Sequence, residues 1–118
     1  MRKRAIVLIA GLVIAFASVN TAFAVVPGTI SIGYNHNTGV FHGVARSSNT
    51  ECQAGRSVKV YKETATGPAL QGSVMTSAGG AWKIEVMHAR GHYFAVAPAA
   101  KVMHTHCGRA KSHTVDVM

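Results

Sequence analysis

From Thr29 to the C-terminus the chain keeps changing sides every second residue, and no stretch long enough for a helix escapes that rhythm. Trp82, Ile84 and Val86 alternate with Lys83 and Glu85. Ile30, Ile32 and Tyr34 share one face of Thr29–Tyr34, and Val58 and Val60 alternate with Lys59, Tyr61 and Lys62. A period of two is the signature of a strand with one face buried. Turn residues cut the alternation at short intervals: Asn35-His36-Asn37-Thr38-Gly39, Ser47-Ser48-Asn49-Thr50, Gly67-Pro68 and Arg90-Gly91. Val40–Ala45, Tyr93–Ala97 (ended by Pro98) and Ser112–Val117 complete the strands. Ser77-Ala78-Gly79-Gly80 predicts a tight hairpin between Gly72–Thr76 and Ala81–Met87, because glycine supplies the positive φ such a turn needs. Gly67–Gly72 and Ala99–Met103 read equally as loop or as irregular edge strand. The expected fold is therefore all-β, a single antiparallel β-sandwich of about seven strands.

The N-terminus reads differently. Arg2, Lys3 and Arg4 precede an uncharged apolar run from Ala5 to Ser18, and Ala22-Phe23-Ala24 offers small residues at both positions a signal peptidase reads. The run falls short of the roughly 20 residues a membrane-spanning helix needs. Residues 1–24 are thus expected to be a cleaved signal peptide, and 25–118 one small sandwich domain with no membrane span. The product is expected outside the cell or in the envelope.

Cysteine and charge usage follow from that compartment. The only cysteines are Cys52 and Cys107. In an exported chain an even count with one possible pairing predicts a disulfide. It would close a loop of more than fifty residues, worth about 4 kcal/mol by the chain-entropy argument. Three of the twelve Lys and Arg lie in the signal, leaving nine against Glu51, Glu63, Glu85 and Asp116, a net charge of +5. These charges are scattered, without the runs of a nucleic-acid arm, so nucleic acid is not an expected partner. Anionic envelope polymers or another envelope protein are.

Several segments together resemble a known class. Phe41-His42-Gly43-Val44-Ala45, then Arg56-Ser57-Val58-Lys59-Val60, Thr76–Gly80 with Trp82, and Gly91-His92-Tyr93-Phe94-Ala95-Val96 are similar, in that order, to the carboxypeptidase-regulatory-like or transthyretin-like β-sandwich. Ser77 stands where that class usually has Asp in its turn. The pattern S-x(4)-C-x(3)-R-x-V-x-V is matched by Ser47, Cys52, Arg56, Val58 and Val60, and C-x(2)-A-x-S by Cys107, Ala110 and Ser112; both resemble small exported bacterial sandwiches. The resemblance implies an Ig-like or transthyretin-like fold, not an activity. The enzymes related to transthyretin end in Tyr-Arg-Gly-Ser, whereas this chain ends Val115-Asp116-Val117-Met118.

Candidate chemistry is sparse. Seven histidines are the compositional excess. His104 and His106, two apart, would project from one face of a strand, and with His88 or His92 they form a candidate Cu(II) or Zn(II) site. Ser112, His113 and Asp116 supply the residue types of a hydrolase, but no nucleophile elbow surrounds them and neighbours on a strand point apart. Trp82, Tyr93 and Phe41 fit the core, which leaves Tyr34 and Tyr61 freer for a surface role. The expected function is a non-catalytic structural or binding module without a cofactor, with a secreted histidine-based metal binder as the alternative.

Overall fold

The computed structural model describes residues 24–118, so the signal-peptide reading falls on residues outside those described. Among the described residues there is no α-helix. In chain order they form β1 (Gly28–Ile30), β2 (Gly33–Asn35), β3 (Val40–Ser47), a 3-10 turn (Thr50–Cys52), β4 (Ser57–Thr64), β5 (Gly67–Met75), β6 (Ala81–Glu85), β7 (Gly91–Ala97), β8 (Ala100–Val102), β9 (Thr105–Cys107), β10 (Ala110–Lys111) and β11 (Val115–Val117).

All strand pairs are antiparallel, and they make two main sheets. In the first, β3 is central. One edge takes β1 and then β2 in a single unbroken register, from Gly28 opposite Ser47 to Asn35 opposite Val40, and the other edge takes β6. The gap between β1 and β2 has a local cause: the Ser31 carbonyl oxygen lies only 1.9 Å from where a Gly43 Cβ would stand, so the backbones touch where only glycine fits. Ser31 Oγ also accepts a hydrogen bond from the Val44 amide at 2.9 Å. In the second sheet the order is β5, β4, β7, with β10 and β11 following one another along the far edge of β7. Counting β1 with β2 and β10 with β11 as interrupted single strands gives the seven-stranded antiparallel sandwich that the alternation predicts; β8 and β9 are an added small hairpin.

The second interruption is equally specific. Ser112, between β10 and β11, donates its amide to the Ala95 carbonyl at 2.9 Å, while its Oγ accepts from the Ala95 amide at 2.8 Å. A side-chain oxygen thus replaces a backbone acceptor and keeps a buried amide satisfied where the register slips.

Two local expectations are corrected. The segments flanking Ser77–Gly80 do not pair with each other: β5 bonds to β4, and β6 bonds to β3. The turn is present, with Gly80 donating to the Ser77 carbonyl at 2.9 Å. Its flanks, however, are claimed by different sheets, Thr76 donating to Arg56 at 2.8 Å and Ala45 donating to Gly80 at 2.8 Å. Gly80 takes φ +88°, and a Cβ there would meet the Ala45 oxygen at 2.2 Å, so its role is to carry the chain between layers. Gly67-Pro68, expected to mark a loop, instead opens the nine-residue β5, so of the two readings of Gly67–Gly72 the irregular edge strand holds. Pro68 is tolerated because β5 is an edge strand, and the tight hairpin lies at Ala65-Thr66 between Thr64 and Gly67.

Between the layers, Ile30, Ile32, Phe41, Trp82 and Ile84 of the first sheet meet Val58, Val60, Tyr93, Ala95 and Ala97 of the second. The Phe41 and Tyr93 rings lie 4.8 Å apart, and Tyr34 packs on Phe41 at 4.6 Å. Tyr93 keeps its hydroxyl paired inside the protein, accepting from the Arg90 amide at 2.9 Å and donating to the Arg90 carbonyl at 3.0 Å.

One end of the sandwich is held by a staple. Cys52 and Cys107 are disulfide-bonded, with Cα atoms 5.5 Å apart. Beside them Arg56 is 3% exposed; Nη1 donates to the Cys52 carbonyl at 3.0 Å, and Nη2 to the Pro98 and Gly108 carbonyls at 3.0 and 3.1 Å. Thr76 Oγ1 accepts from the Arg56 amide and donates to the Gln53 carbonyl.

Candidate binding face

The second sheet is covered on both sides. Alternation along β7 sends Tyr93, Ala95 and Ala97 into the core and His92, Phe94 and Val96 outward, yet Phe94 and Val96 are only 4% and 5% exposed. What covers them is read from the register. Tyr61 on β4 lies opposite Phe94, and the rings stack at 5.5 Å with an interplanar angle of 21°. Lys111 on β10 lies opposite Val96 and places Nζ 4.4 Å from the Phe94 ring centroid, a cation–π contact of the kind worth about 0.5–1 kcal/mol at a surface. Lys59 lies opposite Val96 on the other side, and Leu70 of β5 lies opposite Tyr61.

Two adjoining depressions run over this layer. One, of about 500 Å³, is lined by Tyr61, Pro68, Phe94, Val96, Pro98 and Arg109. The other, of about 300 Å³, is lined by Glu63, Thr64, Gly67, Pro68, Phe94 and Lys111. They share Phe94 and Pro68, so they form one shallow trough with a cation at each part. Two further grooves, around Arg46 and around Lys83, each offer a single charged side chain.

The charge around the trough is unneutralised. Among the described residues the ion pair within 4.0 Å is His92 with Asp116, at 3.6 Å, and no Lys or Arg joins a carboxylate. Lys59, Arg109 and Lys111 therefore lie on the outer face without a carboxylate within 4.0 Å; the acids on that face are Glu63, which lines the smaller depression, and Asp116, which lies opposite His92 and pairs with it. Arg56 is a different kind of cation: burial lowers its pKa from the ordinary value, and Nη1 and Nη2 donate to carbonyls while the buried Nε has no hydrogen-bond partner.

The residues singled out from sequence fall as follows. His104 lies in the two-residue turn between β8 and β9, after Met103 at φ +58°, while His106 lies on β9, so the turn separates a pair expected on one strand face. His88 occupies a turn with φ +57° ahead of β7, and His92 lies near the start of β7, paired with Asp116. The β8–β9 hairpin follows the far end of that strand, where Ala97 lies five strand positions from His92 at about 3.3 Å each. Among the described residues no group of three or more His, Cys, Asp or Glu side chains is placed to hold a metal.

Ser112, His113 and Asp116 are likewise apart in role. Ser112 Oγ is buried and donates to the His113 carbonyl at 2.7 Å, and Asp116 pairs with His92. Trp82, Tyr93 and Phe41 are core residues. Of the two freer tyrosines, Tyr61 is the one in the trough. No motif in the sequence joins Phe94 to Arg109 and Lys111; the available signal is the unbroken apolar run from Tyr93 to Ala97, which marks a strand covered on both faces.

Of the motif residues, Cys52 and Cys107 form the disulfide, Arg56 donates to the Cys52 carbonyl, Ala110 packs in the core, Ser112 bonds the Ala95 backbone, and Ser47 Oγ donates to the Pro27 carbonyl at 3.2 Å and accepts from the Asn49 amide at 3.2 Å. No protein-family model matches this chain, and no curated protein or solved structure matches it either.

Proposed function

We propose that this protein is an exported, non-catalytic binding module that holds anionic polymer of the cell envelope, or of the medium beyond it, on the outer face of its second sheet. The observation that carries this reading is the trough over Phe94, with Tyr61 stacked beside it, Lys111 across the ring and Arg109 further along, all without a carboxylate partner. Arg109 and Lys111 are exposed over an apolar floor, so an anion laid along the trough meets both charges without displacing a carboxylate. The disulfide supports an oxidising compartment, extracellular or periplasmic. No helix among the described residues is long and apolar enough to cross a membrane.

Retention on immobilised polyanion tests the reading, with the protein purified from an exporting host. Retention at low salt and release by salt are expected, together with marked loss of retention for Arg109→Ala/Lys111→Ala. Passage straight through the matrix, or equal retention of that variant, overturns it.

A further inference from the structure

Given that reading, we infer that the polymer is an acidic polysaccharide carrying carboxylates on its sugar rings, and that the trough reads both the charge and the ring. A polyanion without rings needs only cations, but the positive groups here are organised around an aromatic layer. Tyr61 is half-buried: one side of its ring stacks on Phe94 at 5.5 Å, and it lines the larger depression beside Pro68 and Pro98. A flat apolar surface of this kind matches the C–H face of a pyranose, which can lie on an aromatic ring while its polar edge stays in water.

The cations have the complementary placement. Arg109 and Lys111 are two residues apart, and Lys111 lies on β10, where alternate residues are spaced by about 6.5–7 Å. One lines each depression, so they are set along the trough rather than clustered at one spot. Arg109 supplies a planar fork that fits a carboxylate in two hydrogen bonds. Lys111 Nζ is held by the Phe94 ring rather than by an acid, and a carboxylate arriving there gains a partner without breaking a salt bridge. The trough is open and shallow, as a chain laid across the face requires.

The experiment is titration calorimetry of the purified exported protein with three probes: polygalacturonate, the same polymer fully methyl-esterified, and polyphosphate of matched charge. Wild type is expected to bind polygalacturonate at least tenfold more tightly than either of the others. Tyr61→Ala is expected to lose about tenfold toward polygalacturonate, some 1.4 kcal/mol, while its binding to polyphosphate stays unchanged. Arg109→Ala, at an exposed position, is expected to weaken both anionic probes, and the unchanged polyphosphate binding of Tyr61→Ala shows that the tyrosine variant is folded. Equal binding of polyphosphate and polygalacturonate, or a Tyr61→Ala variant that loses nothing on the sugar polymer, overturns the polysaccharide assignment while leaving the polyanion reading intact. No binding to either anionic probe overturns both.

Discussion

Arg56 donates through Nη1 to the carbonyl of Cys52, so a buried cation grips the very residue that the disulfide ties to Cys107. Nη2 reaches the Pro98 and Gly108 carbonyls on either side of the β8–β9 hairpin. Covalent bond and guanidinium thus hold the same two regions, the segment before β4 and the hairpin after β7. A lone buried charge is costly, and the lowered pKa of Arg56 registers that cost. The three carbonyls would be worse off alone, because loss of the fork leaves them without their donors.

Arg56→Ala is therefore expected to destabilise the protein by about 3 kcal/mol, and Arg56→Met by a similar amount despite its better packing. Denaturant unfolding of the two variants checks this. A Met variant as stable as wild type would show that the carbonyl contacts contribute nothing net.

Thiol titration of the denatured, unreduced protein should find no free thiol. Reduction should lower the melting temperature by roughly 15–30 °C, the size that about 4 kcal/mol produces in a domain this small. Loss of cooperative melting in the reduced protein would mean that Arg56 cannot hold the end closed without the covalent bond.

Gly43→Ala should be far more damaging than Gly79→Ala. The first sets a methyl group 1.9 Å from the Ser31 oxygen and 2.8 Å from Trp82 Nε1, which forces β1–β2 away from β3, at about 1–3 kcal/mol. The second meets nothing within 4 Å and should change stability by no more than about 0.5 kcal/mol. Melting curves of the two variants, compared side by side, decide it.

Much of the fold was legible because alternation reports burial directly. Val58 and Val60, Trp82 and Ile84, and Ile30 and Ile32 all face the core as their spacing implies. Pairing was less legible, since a turn's chemistry does not say which sheet its flanks will join: Gly80 turns as expected but carries the chain between layers. His104 and His106 show the same limit at shorter range, because the two-residue turn at Met103-His104 ends the strand that period-two spacing assumes. The binding face was the hardest to see. Its parts lie on β4, β5, β7 and β10 and, for Pro98 and Arg109, just beside β7 and β10, and only the register that sets Tyr61 opposite Phe94 and Lys111 opposite Val96 assembles them.

The most direct test of that face is an amide and side-chain chemical-shift map of the isotopically labelled protein during titration with polygalacturonate at low salt. The largest changes are expected on Tyr61, Phe94, Val96, Arg109 and Lys111. Residues His42 and Lys83, which pair on the outside of the opposite sheet, should stay unperturbed although Lys83 is also an exposed cation. Changes spread evenly over every exposed lysine, or centred on Lys83, would contradict it.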